Sequence, residues 1–166
     1  MSFSHELAAL FARDLERVSQ EITAFPSDEA LWRTAAGVTN SAGNLALHVA
    51  GNLQYFVGTC MGRGSYVRNR QAEFSTREGT RAEVDSTLRA AIDAVNETLM
   101  TCSEATLNEP MPGAPGGIPM RTGMLLLHLV AHTAFHLGQA GYLRRLLAGE
   151  QAASSGPLPL DVLRLD

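Results

Sequence analysis

The chain contains no lysine; all 13 of its basic residues are arginine. A lysine Schiff base and a lysine general base are therefore excluded. Cysteine is nearly absent too. Cys60 and Cys102 are the only two, they form no CxxC pair, and the expectation is reduced thiols in a cytoplasmic protein. Charged residues make up only 18% of the 166 positions and the formal net charge is −4. That balance argues against a nucleic-acid partner, whose recognition needs a basic face. The start of the chain, Met1 to Glu6, lacks the basic residues and apolar run of a secretion signal. There is no phosphate-binding glycine loop, no Ser-His-Asp elbow and no HExxH element.

Charge is missing altogether from two long stretches, Thr34 to Gly62 and Thr122 to Leu143. Their polar content excludes lipid: the first holds Asn40, Ser41, Asn44, His48, Asn52 and Gln54, the second three histidines and Gln139. Helices buried within a bundle are expected instead, with no membrane partner. Hydrophobic residues at 45% can build one core without staples. The expected organisation is a single helical domain over residues 1–150 and a Pro/Leu-rich tail over 151–166.

Four long helices are predicted. The first runs from about Ser4 to Phe25, with Leu7, Leu10, Phe11, Leu15, Val18 and Ile22 at helical spacing and Pro26 as its stop. Glu6, Arg13, Asp14, Glu16, Arg17 and Glu21 are assigned to its solvated face. Ser27 should cap a short turn carrying Leu31 and Trp32. The second helix starts near Ser41 or Asn44 and reaches about Thr59, placing Leu45, His48, Val49, Asn52 and Phe56 on one stripe. A long loop through Arg77 follows. The third helix spans about Thr80 to Cys102, with Val84, Leu88, Ile92, Val95 and Leu99 inward and an Asp85, Arg89, Asp93 ladder outside. The proline-rich run from Glu109 to Pro119 admits neither helix nor central strand. The fourth helix runs from about Thr122 to Ala148, ended by Gly149. Its apolar residues surround it, which marks a buried helix or one shared with a second subunit. Together these elements form an all-α four-helix bundle with long loops after its second and third helices.

His128, His132 and His136 recur every four residues on that last helix, followed by Gln139. An i, i+4 pair projects from one face, so adjacent imidazoles can reach one point in front of it. Polar rings among leucines need partners, and a divalent ion is such a partner. A third ligand must come from another helix. His48 is the obvious donor, on the inward stripe of the other uncharged helix, whereas His5 sits at the chain start. Neutral imidazole suits zinc, nickel, copper or iron.

The second-helix histidine, the block Arg68-Asn69-Arg70-Gln71-Ala72-Glu73-Phe74, and the element His132-Thr-Ala-Phe-His136-Leu-Gly138-Gln139 with Arg144 beyond it carry a family resemblance. Over roughly residues 4 to 148 the chain resembles the DinB-like superfamily, the damage-inducible and YfiT-like metalloenzymes. That resemblance implies an up-down-down-up four-helix bundle, commonly a homodimer. It implies a divalent ion held by one histidine on the second helix and two on the fourth, which by position are His48, His132 and His136. Characterised relatives include transferases of bacillithiol or similar low-molecular-weight thiols and a mycothiol-dependent maleylpyruvate isomerase.

The family pattern does not use His128. It is expected as a core histidine bonded to a carbonyl or an asparagine, the alternatives being a proton carrier or a substitute ligand. Gln139 and Asn52 are candidates to orient an imidazole or contact a bound water, with plain structural roles as the alternative. Arg68 and Arg70 are candidate anchors for an anionic thiol or a carboxylate substrate. Arg70 and Glu73 are expected to pair with each other and pin the loop. Three functions fit a small-molecule site of this kind: a metal-dependent thiol S-transferase, a metal-dependent hydrolase, and a non-catalytic dimeric stress-response bundle.

Overall fold

In the computed structural model, which describes residues 2–149 and 155–164, seven helical segments account for the architecture. Helix α1 (Phe3–Thr23) starts where the Ser2 hydroxyl accepts from the His5 N–H. Its stripe of Leu7, Phe11, Leu15, Val18 and Ile22 is fully buried. The Ser27 hydroxyl then caps α2 (Asp28–Leu31), which puts Leu31 and Trp32 into the core.

Helix α3 (Ala42–Leu53) opens on a reciprocal capping box between Ser41 and Asn44. It runs straight into a wider π-helical stretch, Gln54–Met61. That widening is not visible in the sequence periodicity, which gives only a helix ending near Thr59. The stretch closes through Gly62 N–H to the Val57 carbonyl (3.0 Å) and Gly64 N–H to the Gly58 carbonyl (2.9 Å). Within the expected loop a further helix forms, α4 (Arg70–Ser75), because the Asn69 side chain caps it at Ala72 N–H.

Helix α5 (Arg81–Leu99) begins with a Thr80–Glu83 capping box. After the short α6 (Glu104–Asn108), residues 109–121 form an irregular connection held by Met111 N–H to the Met120 carbonyl and Thr122 N–H to the Glu109 carbonyl, both 2.9 Å. The last helix, α7 (Thr122–Ala148), ends at Gly149, whose φ of 61° lies in the left-handed region.

Helix α1 packs against α5 and α7, and α3 packs against the same two. The pairs α1/α3 and α5/α7 are thus the diagonals of a four-helix bundle, with α2, α4 and α6 in the connections. Among the described residues there is no strand, only an isolated bridge between Pro110 and Arg121. No helix among them is long and apolar enough to cross a membrane.

The supposed solvated face of α1 is partly covered. Asp14 and Glu21 are buried, at 1% and 3% exposure. For Glu21 the cause is the end of α7 together with the tail, whereas the partner of Asp14 is its neighbour Arg13. Arg144 Nε donates to Glu21 Oε2, Ser155 bonds Glu21 Oε1, and Arg17 Nη1 and Nη2 donate to the carbonyls of Ser155, Gly156 and Pro157 at 2.6 to 3.0 Å. Of the tail 151–166, residues 151–154, 165 and 166 lie outside the described residues. The apolar surround of α7 resolves into two faces. Leu125, Leu126, Leu129, Leu137 and Leu143 are buried, while Met124, Leu127, Phe135, Tyr142 and Leu146 remain exposed.

Candidate metal centre

Helices α3 and α7 lie side by side, and their inward stripes meet at three imidazoles. His48 Nε2 is 3.2 Å from His132 Nε2, which is 3.1 Å from His136 Nε2. One nitrogen from each ring falls within 4.8 Å of the others. Ligands around a tetrahedral ion at ordinary zinc–nitrogen bond lengths stand ~3.3 Å apart. The donor set is three imidazole nitrogens, and the two separations at His132 match the spacing around one divalent ion.

Two of the rings, His132 and His136, are also biased toward the neutral form that ligation requires. Burial, followed by the neighbouring His136, His48 and His128 and by Arg68, pushes His132 down to about 4. Burial lowers His136 as well, opposed by its hydrogen bond with Gln139.

Two of the rings are tied at the opposite nitrogen. His136 Nδ1 donates to Gln139 Oε1 at 2.7 Å. Gln139 lies three residues along the same face of α7. His48 Nδ1 donates to Glu73 Oε2 at 2.8 Å, and the His48 ring packs on Phe74 at a centroid distance of 4.6 Å. Burial raises the Glu73 pKa, but hydrogen bonds from His48 and Arg68 outweigh it and hold the carboxyl below its usual range.

Arg70 is not the partner of Glu73. Arg68 grips that carboxylate with Nε and Nη2 at 2.7 and 2.9 Å. Within α4 the two side chains diverge: Glu73 is buried toward α3, while Arg70 is exposed with its guanidinium 5.1 Å from the Phe74 ring centroid. Arg68 also lies 5.7 Å from the Phe56 ring centroid.

His128 is exposed rather than a core residue, because α7 turns that edge outward. Its ring centroid is 6.0 Å from that of His132, and it is not part of the three-nitrogen group. Asn52, one turn after His48, is buried with no hydrogen-bond partner for Oδ1. Beyond Gln139 a cavity of about 510 Å³ opens, walled by Val38, Asn40, Leu45, Tyr142, Leu143 and Leu146. Its size suits a small organic molecule.

The contacts that sequence reasoning missed are those of Glu73 and Phe74 with His48. The one available signal was a lone acid in an arginine-rich loop.

The DinB superfamily pattern matches residues 10–140. A crystal structure described as a conserved protein from Enterococcus faecalis is similar at TM-score 0.72 and 15% identity, covering 90% of this chain and 99% of that one. At that identity the likeness speaks for the fold alone. No curated protein matches.

Proposed function

Because the chain belongs to the DinB superfamily, we propose that it is a metal-dependent enzyme of the thiol S-transferase type, built on His48, His132 and His136. The observation that carries this reading is the convergence of the three imidazoles, with His132 Nε2 at ligand-to-ligand spacing from the other two, on the uncharged stretches of α3 and α7. A divalent ion held there supplies Lewis acidity that lowers the pKa of a thiol or water brought to it.

The chain's own residues do the rest. Gln139 orients His136. The unpartnered Asn52 Oδ1 is a buried acceptor one turn after His48, and the cavity beyond Gln139 offers leucine and tyrosine walls to the apolar body of an electrophile. Arg70, exposed at the edge of α4, is the anchor for an anionic thiol or carboxylate. Cys102 is a poor internal nucleophile, since burial and then Glu104 push its thiol up. In this reading the thiol comes from outside: its sulfur bonds an electrophilic carbon, while a halide departs or an epoxide C–O bond opens and the thiol proton passes to solvent or the opened oxygen. A homodimer belongs to the same reading, supported by the exposed apolar stripe of α7.

The test is a panel of low-molecular-weight thiols with halo-aromatic and epoxide acceptors, run on metal-loaded protein. Conjugation should be catalysed, and should be lost on chelation and in His48→Ala. Ester or amide hydrolysis without any thiol would replace this reading with a hydrolase. Silence of both panels would leave a non-catalytic bundle.

A further inference from the structure

An imidazole ligates through one nitrogen only when its proton sits on the other, and a partner outside the ring decides which one that is. For His48 that partner is Glu73, 4% exposed, and its surroundings are unusually complete. Glu73 Oε2 accepts from His48 Nδ1 at 2.8 Å and from Arg68 Nη2 at 2.9 Å, and Oε1 accepts from Arg68 Nε at 2.7 Å. A carboxylate gripped by a guanidinium fork has no hydrogen to give. Arg68 Nη2 also lies 3.3 Å from Nδ1, but its nearer partner is Glu73 Oε2 at 2.9 Å; the hydrogen shared by ring and carboxylate therefore lies on Nδ1, and the lone pair on Nε2, the atom that faces His132.

Helix α3 is shaped to receive this group. Asn44, His48 and Gly51 recur at i, i+4 and i+7 and share one face. Asn44 Nδ2 donates to the carbonyls of Glu73 and Thr76, both at 2.9 Å, and so docks the backbone of α4. At Gly51 a Cβ would stand 2.5 Å from Glu73 Oε1 and 3.1 Å from the Tyr66 hydroxyl. The absence of a side chain there is what admits the carboxylate.

Resting on the metal reading above, we propose that Glu73, clamped by Arg68 and seated against Gly51, is the positioning residue that fixes His48 as an Nε2 ligand. Arg68 accordingly serves the carboxylate, which separates it from the anion-anchoring role left to Arg70.

Two variants and one measurement on the wild-type chain test this. In Glu73→Gln the Arg68 fork, a donor on both arms, claims the amide oxygen and turns the NH2 toward His48 Nδ1, which moves the ring proton to Nε2. In Gly51→Ala the carboxylate is retained but displaced. Long-range proton–nitrogen NMR of the metal-free proteins should show His48 protonated at Nδ1 in wild type and shifted toward Nε2 protonation in both variants. Zinc affinity, measured by competition with a chromophoric chelator, should weaken about 10- to 100-fold in both, with helical circular dichroism unchanged. Wild-type His48 protonated at Nε2 would overturn the assignment, and that measurement needs no variant to fold. So would zinc affinities in Glu73→Gln and Gly51→Ala equal to wild type. A wild-type chain that takes up no zinc would instead refute the metal reading, while the tautomer result would still decide the role of Glu73 toward His48.

Discussion

Replacing Arg144 with methionine would strand the Glu21 carboxylate inside the protein. The pair is deeply buried, with side-chain exposures of 5% and 4%. Removing one partner of such a pair costs ~3–5 kcal/mol, because the remaining charge stays desolvated. Here Ser155 still bonds Glu21 Oε1, a bond to a charged group worth ~1.5–3 kcal/mol, so the lower end is expected. At ~2–4 °C per kcal/mol for a chain of this size, a loss of ~3 kcal/mol lowers Tm by ~6–12 °C. Urea unfolding of metal-free protein at fixed concentration measures it, through a midpoint that falls at unchanged slope. The double variant Glu21→Leu, Arg144→Met should recover most of the loss, since an apolar pair of similar volume needs no compensation. A cost below ~1 kcal/mol for Arg144→Met, the range of an exposed ion pair, would refute the reasoning. A double variant no more stable than the single one would refute it equally.

Three further outcomes are expected. His128→Ala should leave metal content unchanged, because that ring is exposed and outside the three-nitrogen group; loss of metal in this variant would contradict the ligand set. Metal-free protein should lose stability as pH falls from about 6.5 to about 4, since across that window the unfolded chain takes up a proton that folded His132 refuses. Urea midpoints across the same range should flatten in His132→Ala, and a dependence in that variant as steep as in wild type would show that other groups cause it. Finally, Phe135→Glu should turn a dimer into a monomer by light scattering at micromolar concentration, because Phe135 is 62% exposed in the middle of the apolar stripe of α7. A wild-type chain that is already monomeric would remove the dimer from the account.

Periodicity made the long helices legible because their burial is one-sided. Leu7 to Ile22 and Val84 to Leu99 repeat at the helical interval, and Pro26, Thr80 and Gly149 mark ends whose chemistry is local. The histidine cluster was legible for the same reason: His132 and His136 share a face of one helix, and His48 sits on the inward stripe of another. What escaped depends on tertiary placement. Nothing in the spacing of Arg68, Arg70 and Glu73 says which arginine the acid takes, because α4 buries one side of that segment and exposes the other. Glu21 looks like a surface acid until Arg144 of α7 and Ser155 close over it. His128 looks like a core residue because apolar neighbours surround it in sequence, yet α7 leaves a whole apolar edge in solvent. The π-helical widening after Leu53 has no compositional signature in its residues.

The central claim is that His48, His132 and His136 hold one divalent ion. Elemental analysis of protein purified without a histidine tag, then offered zinc, nickel, copper and iron in turn, tests it most directly. About one ion per chain is predicted in wild type, with its loss in the His132→Ala, His136→Ala double variant at unchanged helical content. Equal metal in the two proteins, or no uptake of any of the four ions by wild type, would contradict it.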